Sequence, residues 1–331
     1  MKILSIIVPS YNTSAFIDKN IPTLLDQRIL EELEVLIIND GSKDNTAEIA
    51  QKYADRYPQT VKVVSKENGG HGSVINKGIE IATGKYFKVI DGDDWVEKDS
   101  LYKLISKLKK SNSDLIINPY HIVYENNKKR KLIKFEAPQY GKKLQFEKIC
   151  SLYQKLPIHS ITYKTSLLGE NGIRVREHCF YEDNEYDLFP IPYVKTATVL
   201  RFSVYQYLMD QKNQSVSDAN SLKNDSMFCQ VVFDCMDMYD QKKDSLSENI
   251  DGYIKNTILE LVRSQYNIYL RNGFSDGAYY KFEKFNKMLK DNREEYYIQT
   301  GNRYKYIKLL QTENKFIYLA FSTLIKIYKN I

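Results

Sequence analysis

Three carboxylates stand within four residues at Asp91-Gly92-Asp93-Asp94. Held that close they repel one another, so a cation or full solvation must offset their charge. Carboxylates suit hard divalent ions such as Mg²⁺ or Mn²⁺, which in turn hold phosphate oxygens. The acids directly follow Tyr86–Ile90, an apolar run with the length and composition of a buried strand. In open α/β sheets, ligands sit beyond the carboxyl ends of the strands. The stretch therefore reads as a metal–diphosphate site at a strand end. The plainer alternative is an acidic turn that caps the next helix. Two other acidic spots could join it in space: Asp40, which ends another apolar run, and the pair Glu182-Asp183.

The elements that must position these residues can be read in order. Ile3–Val8 is a continuous apolar run stopped by Pro9, as expected of a strand buried on both faces. A polar turn, Ser10–Ser14, leads to a helix with Phe16, Ile17, Ile21, Leu24 and Leu25 on one face. Glu34–Asn39 is a second strand and ends in Asp40-Gly41-Ser42. A helix from about Asp44 to Arg56 and a strand at Val61–Val64 follow. The loop Asn68-Gly69-Gly70-His71-Gly72-Ser73 opens a helix that runs to Thr83. The strand Tyr86–Ile90 comes next, then a helix from about Lys98 to Lys110. Strand and helix alternate, which implies right-handed crossovers and a mainly parallel sheet. Each polar loop follows a strand, so Asp40, the Asn68–Ser73 loop and Asp91–Asp94 should share one sheet edge. Further on, a hairpin around Glu125–Lys128, a helix within 140–170, a short helix after Glu182 and one strand over Thr198–Tyr207 are expected. Past Ser217 helical patterns dominate: Met227–Tyr239, Ile250–Tyr269, Ala278–Leu289 and Phe316–Tyr328. The change in texture places a domain boundary near residue 215, dividing 1–215 from 216–331.

The totals narrow the class. The chain has 331 residues, enough for a substantial core, with 43% hydrophobic and 27% charged residues, so it is globular. Its net charge of +6 is mild and gives no argument for a nucleic-acid partner. The 27 tyrosines suit surfaces that are half apolar and half hydrogen-bonding, and also suit strands. Cys150, Cys179, Cys229 and Cys235 form no C-x-x-C pair and read as buried free thiols. Met1-Lys2 leads straight into a short apolar run, with no signal-peptide pattern, and no stretch reaches the ~20 apolar residues of a membrane span. A cytoplasmic protein is expected. The tail puts Ile317, Phe321, Leu324 and Tyr328 on one helical face, flanked by Lys315, Lys326 and Lys329. That basic face could make peripheral contact with the inner face of a membrane, pack on the helical domain, or build a homodimer.

Five ordered segments resemble family-2 glycosyltransferases of the GT-A fold, the inverting type that builds bacterial surface glycans. Val8-Pro9-Ser10-Tyr11-Asn12 resembles V-P-x-Y-N. Asn39-Asp40-Gly41-Ser42, with Asp44 and Thr46, resembles D-D-G-S-x-D-x-T. Asn68-Gly69-Gly70 with Asn76-Lys77-Gly78 resembles N-x-G…A-R-N-x-G. Asp91-Gly92-Asp93-Asp94 resembles D-x-D-D, and Glu182-Asp183 the late E-D motif. Order and spacing agree over roughly residues 1–210, while the helical C-terminal third is not covered. Two positions depart from the pattern. Asn39 stands where a first Asp is common, and Val74-Ile75 stands where Ala-Arg is usual. In relatives that Arg helps to hold the nucleotide. Ile75 cannot, and His71 is the nearest substitute.

The resemblance implies an α/β GT-A (Rossmann-like) catalytic domain binding a nucleotide sugar, followed by a helical domain. It implies transfer of a hexose or N-acetylhexosamine from a UDP-sugar, with Mn²⁺ or Mg²⁺, to a glycan, glycolipid or glycoprotein acceptor. Within that reading Asp93 is the direct metal ligand, and Asp91 a ribose or metal contact. Asp94 orients the loop or meets the donor sugar. Asp40 reads the uracil by accepting its ring N–H, and Pro9 and Tyr11 wall the base. Asn12, Asn68, Gly70, His71, Asn76 and Gly92 complete the donor site. Asp183 is the general base of a single, inverting displacement, with Glu182 as its runner-up or support. His159 and His178 flank the acceptor side, Lys212 could meet the diphosphate, and Trp95 packs under the metal loop. Two rival classes are weaker. A nucleotidyltransferase would need a basic, Gly-rich loop near the N-terminus, and Val8–Ser14 has neither. A non-catalytic glycan-binding protein would not need the full set of acids. Neither a dinucleotide fingerprint nor a Walker A motif is present.

Overall fold

The structure, a computed structural model, describes residues 1–209 and 218–329. It divides into two compact units: Met1–Lys212 with Ser245–Tyr253, and Asn213–Asp244 with Ile254–Ile331. The cut expected near residue 215 falls outside the described residues, as does Lys212.

The first unit begins with the alternation read from the sequence: β1 (Leu4–Ser10), α1 (Ser14–Leu24), β2 (Leu33–Asn39), α2 (Thr46–Arg56), β3 (Val61–Ser65), α3 (His71–Ile81) and β4 (Tyr86–Val89). Every residue of β1, β2 and β4 is buried, which explains their mostly apolar runs. After β4 come β5 (Trp95–Val96), α4 (Lys98–Lys110), β6 (Leu115–Ile117), β7 (Tyr120–Tyr124), β8 (Arg130–Ile133) and β9 (Lys143–Gln145). They are followed by β10 (Ile161–Lys164), α5 (Thr165–Glu170), α6 (Asp183–Leu188), β11 (Thr196–Val199) and β12 (Tyr205–Met209). The large sheet has the order β3-β2-β1-β4-β10-β6-β11-β9, and a small one the order β5-β12-β7-β8. The neighbours β3, β2, β1 and β4 are parallel. β10 is antiparallel to both β4 and β6. The hairpin expected around Glu125–Lys128 is the antiparallel pair β7–β8.

One expected strand is two. Thr198–Tyr207 splits into β11 and β12, which lie in different sheets. β6 and β7 split in the same way: β11 runs parallel to β6 and β12 parallel to β7. The chain bends at Arg201-Phe202-Ser203, where the Asn118 side chain donates to the Phe202 carbonyl. Alternation continues through such a bend, so the pattern alone does not reveal it. The helix expected within 140–170 is short: 3₁₀ turns precede β10, and α5 follows it.

The second unit is built from α7 (Asp218–Lys223), α8 (Asp225–Lys242), α9 (Glu248–Asn272), α10 (Ala278–Asn292), α11 (Glu294–Arg303), α12 (Lys305–Leu310) and α13 (Lys315–Lys329), the start of α9 belonging to the first unit. Its core holds Tyr266, Phe282, Phe285 and Tyr318. The Tyr318 hydroxyl donates to the carbonyls of Tyr269 and Gly273. This turns α13 relative to the expected face. Tyr318 and Ser322 point inward, Ile317 and Phe321 are half-buried, and Phe316, Leu319 and Leu324 are exposed. The side chains of Lys326, Tyr328 and Lys329 lie outside the described residues. All four cysteines are buried free thiols. Among the described residues no helix is long and apolar enough to cross a membrane.

The edge of the sheet opposite the loops is held by Glu34, which is 1% exposed. Its carboxylate accepts from the Ser5 hydroxyl (2.6 Å), the Thr83 N–H (2.8 Å), the Thr83 hydroxyl (2.9 Å) and Lys62 (3.0 Å). Burial pushes this carboxyl up, but the hydrogen bonds outweigh burial and hold it below its ordinary 4.5. The stabilisation is therefore complete above pH 4.5 and lost as pH falls through the lower folded value. We expect Glu34→Gln to cost about 1–3 kcal/mol in urea unfolding at pH 7. The gap to wild type should narrow as the titration is carried into acid.

Candidate active site

The loops after β1, β2, β3 and β4 meet at one edge, as the alternation requires. Asp40, at the end of β2, is 2% exposed. Its Oδ1 accepts from Lys66 Nζ (2.8 Å), the Gly69 N–H (2.9 Å) and the Ser73 hydroxyl (3.3 Å). Its Oδ2 accepts from the Gly70 N–H (2.8 Å) and the Asn68 amide (3.1 Å). A carboxylate has about four acceptor positions. The residue expected to read the base thus also staples the loop that follows β3. Asn68 belongs to the same knot. Asn12 joins neighbouring loops, its N–H donating to the Ser42 hydroxyl and its Oδ1 accepting from the Lys43 N–H. Asn76 likewise has protein partners. Its amide donates to the Val175 carbonyl and to Glu177, and accepts from the Val175 N–H. Ile75 is wholly buried in the core.

The glycines of this loop serve the protein's own backbone. Gly70 has φ +81°, which disfavours a side chain. A Cβ on Gly72 would lie 2.0 Å from the Arg176 carbonyl oxygen. The His178 N–H, in turn, donates to the Gly69 carbonyl (2.6 Å). The start of α3 is thus clamped to the segment that leads into Glu182-Asp183.

His71, the first residue of α3, lies between two acids. Nδ1 is 2.6 Å from Glu182 Oε1, and Nε2 is 2.9 Å from Asp91 Oδ1. Burial would lower its pKa, but bonds to Asp91 and Glu182, and their charges, reverse this and hold it well above 6.5. The residue expected in place of the absent Arg thus has both ring nitrogens engaged by acids. Asp91 shows the converse balance. Burial raises its carboxyl, and the bond and charge of His71 pull it down to about 2.

Tyr205, on β12, is the organising side chain that the sequence reading missed. Its hydroxyl donates to Asp94 Oδ2 (2.6 Å), lies 3.0 Å from Asp91 Oδ2, and accepts from the Asp91 N–H (3.1 Å). Asp94 is 1% exposed, and its Oδ1 accepts from the Leu208 N–H (2.7 Å). Burial, then the charges of Asp91 and Asp93, push the Asp94 carboxyl well above its ordinary range. Asp94 ties the loop after β4 to β12.

His159 enters from just before β10. Its ring stacks on Tyr207 (4.2 Å between centroids) and meets Tyr205 edge-on (4.8 Å). Burial lowers its pKa to about 4, so the ring is neutral at pH 7, and Nδ1 is buried without a hydrogen-bond partner. Ligand atoms of Asp91, Asp94 and His159 lie within 4.8 Å of one another. Two repelling carboxylates and an unprotonated imidazole suit a divalent cation. Asp93, expected as the direct ligand, is not in this cluster. Asp183, first residue of α6, is half-buried, accepts from the Asn184 amide (2.9 Å) and lies close enough to His159 to act on its charge. Of the remaining expected contacts, Pro9 is buried in β1 and Tyr11 is exposed. Gly92 packs on Pro9 and Thr13. Trp95 is half-buried in β5, and His178 is exposed and joins the loop through its backbone bond to Gly69.

We expect Tyr205→Phe to destabilise the fold by about 1–3 kcal/mol, because the Asp91 N–H and a buried Asp94 oxygen lose their partner. Thermal unfolding checks the loss, and calorimetric Mn²⁺ titration should show weakened binding.

Residues 5–167 match the family model described as glycosyl transferase family 2. A Bacillus subtilis protein described as uncharacterized glycosyltransferase EpsJ is 38% identical over 114 residues, 34% of this chain and 33% of that one. This chain therefore spans about a third of EpsJ's length. Cholesterol galactosyltransferase of Borreliella burgdorferi is 29% identical over 234 residues, 67% of this chain and 64% of that one. The crystal structure of S. aureus TarS 1-349 in complex with UDP-GlcNAc shares the fold, with a TM-score of 0.69 over 98% of this chain and 91% of that one at 18% identity.

Proposed function

Starting from residues 5–167 as a glycosyl transferase family 2 domain, we propose that the chain transfers a hexose or N-acetylhexosamine from a UDP-sugar to a hydroxyl of a glycan, glycolipid or glycoprotein. The observation that carries this reading is the junction at His71. It joins Asp91, at the carboxyl end of β4, to Glu182, next to Asp183. A site for a leaving diphosphate and a candidate base thus share one cleft edge. TarS, a structural relative, is described in complex with UDP-GlcNAc, which supports a UDP-sugar as the donor.

Asp91, Asp94 and His159 are the residues that would hold Mn²⁺ or Mg²⁺, with Asp93 on the same loop as the candidate for a further ligand. When bound, the cation supplies charge neutralisation for the departing diphosphate. Exposed Tyr11 is the residue of the first loop left to stack on the base. The Asp183 carboxylate takes the proton of the attacking hydroxyl as that oxygen displaces UDP from the anomeric carbon. One displacement inverts the centre.

The test is a panel of UDP-sugars with Mn²⁺, read as UDP release in the presence of glycan acceptors. Turnover should occur with at least one donor and stop on chelation. Asp183→Asn should lower kcat by about 10²–10⁴-fold with little change in UDP affinity by calorimetry. Undiminished turnover in that variant would remove Asp183 as base.

We further propose that α13 meets the membrane surface. Phe316 is 83% exposed, Leu319 47% and Leu324 48%, and Lys305, Lys308 and Lys315 are nearby in sequence. Flotation with phosphatidylglycerol vesicles should carry the protein up, whereas phosphatidylcholine vesicles should not. Phe316→Glu with Leu319→Glu should abolish flotation without changing thermal stability.

A further inference from the structure

We propose that His71 is a positioning residue, a strut that sets the start of α6, and with it Asp183, against the carboxylate of Asp91. The proposal rests on the reading of Asp183 as the base.

The geometry is specific to a two-headed donor. A carboxylate only accepts hydrogen bonds, so both ring nitrogens of His71 donate, one to each acid. The Glu182 carboxylate has no other hold. Its Oε2 is buried without a hydrogen-bond partner, and the bond from His71 is the one hydrogen bond to that carboxylate among the described residues. Glu182 immediately precedes α6, so what fixes its side chain fixes the direction in which Asp183 leaves the loop.

The approach to α6 also depends on outside support. His178 and Tyr181 carry positive φ of 53° and 75°, a conformation that persists only when neighbours enforce it. For Tyr181 the neighbour is Asn184, whose N–H and side-chain amide both donate to its carbonyl; for His178 the neighbours lie at the start of α3. Gly69 accepts from the His178 N–H, and Gly72 lets the Arg176 carbonyl approach. The backbone contacts hold the segment to α3, and the His71 ring extends that hold to the loop after β4. A donor bound at Asp91 and a base on α6 are then kept in register by one side chain that touches neither reacting centre.

The experiment compares His71→Ala, Glu182→Ala and the double variant in steady-state UDP release. His71→Ala should lower kcat by about 10–100-fold with a much smaller change in donor KM. Its loss should largely disappear in the Glu182→Ala background, because both substitutions cut the same link. The His71 side chain is 30% exposed, so added imidazole should restore part of kcat to His71→Ala, which general destabilisation would not permit. A raised donor KM with unchanged kcat, or losses that multiply in the double variant, would overturn the proposal. Hydrogen exchange judges the strut without turnover: amides of residues 176–188 should lose protection in His71→Ala, and unchanged protection would also overturn it. A wild type that turns over no sugar nucleotide would instead overturn the transferase reading, and the exchange result would still decide the strut.

Discussion

Like charges crowded at the end of one buried strand are the constraint on which this site depends. Asp91, Asp93 and Asp94 follow β4 in four residues, and the middle of the sheet offers them little water. The chain answers with donors drawn from distant segments: an imidazole from α3, and a phenol and an N–H from β12. Each donor is also a tether. The charge problem therefore brings the two sheets and α6 to one point, and satisfying it builds the cleft.

The same economy governs Asp40. Its charge is spent on folding the Asn68–Ser73 loop, with Lys66 as counter-ion and backbone N–H groups of Gly69 and Gly70 completing the shell. Asn12, Asn68 and Asn76 likewise hold protein to protein. In this region the polar motif residues mostly shape the loops, and few side chains are left facing outward. Tyr11 is among those few.

Much of this was legible in the sequence. The GT-A arrangement of a mainly parallel sheet followed by helices comes from mostly apolar runs alternating with helical periods, and those runs are the buried strands β1, β2 and β4. The convergence of the strand-end loops follows from parallel topology. The importance of the Asp91–Asp94 loop was visible from charge alone. Tyr205 and His159 were not visible as site residues, for a common reason. The rule that sites gather beyond strand ends looks only at what comes after parallel strands. β10 runs antiparallel between β4 and β6, so its beginning, with His159 just before it, arrives where its neighbours finish. Tyr205 was hidden inside a run that looked like one strand. The bend at Arg201–Ser203 sends the second half to the small sheet, where its hydroxyl can reach the acids. Asp40 is of a type that suits a ligand contact and a loop staple equally, and only the donors around it reveal the staple.

The path of the chain sets a limit on dissection. Ser245–Tyr253 returns to the first unit after a long helical excursion. The Tyr253 hydroxyl accepts the Leu156 N–H, its ring packs edge-on against Phe146, and the Cys150 thiol donates to the Asn249 carbonyl. The sheet-bearing half is therefore not a separable module in the genetic sense. A fragment ended at residue 212 would strip the cover from Phe146 and orphan the Leu156 amide. A recombination that swapped the helical half at a single crossover would have to bring along a matching patch for these three residues.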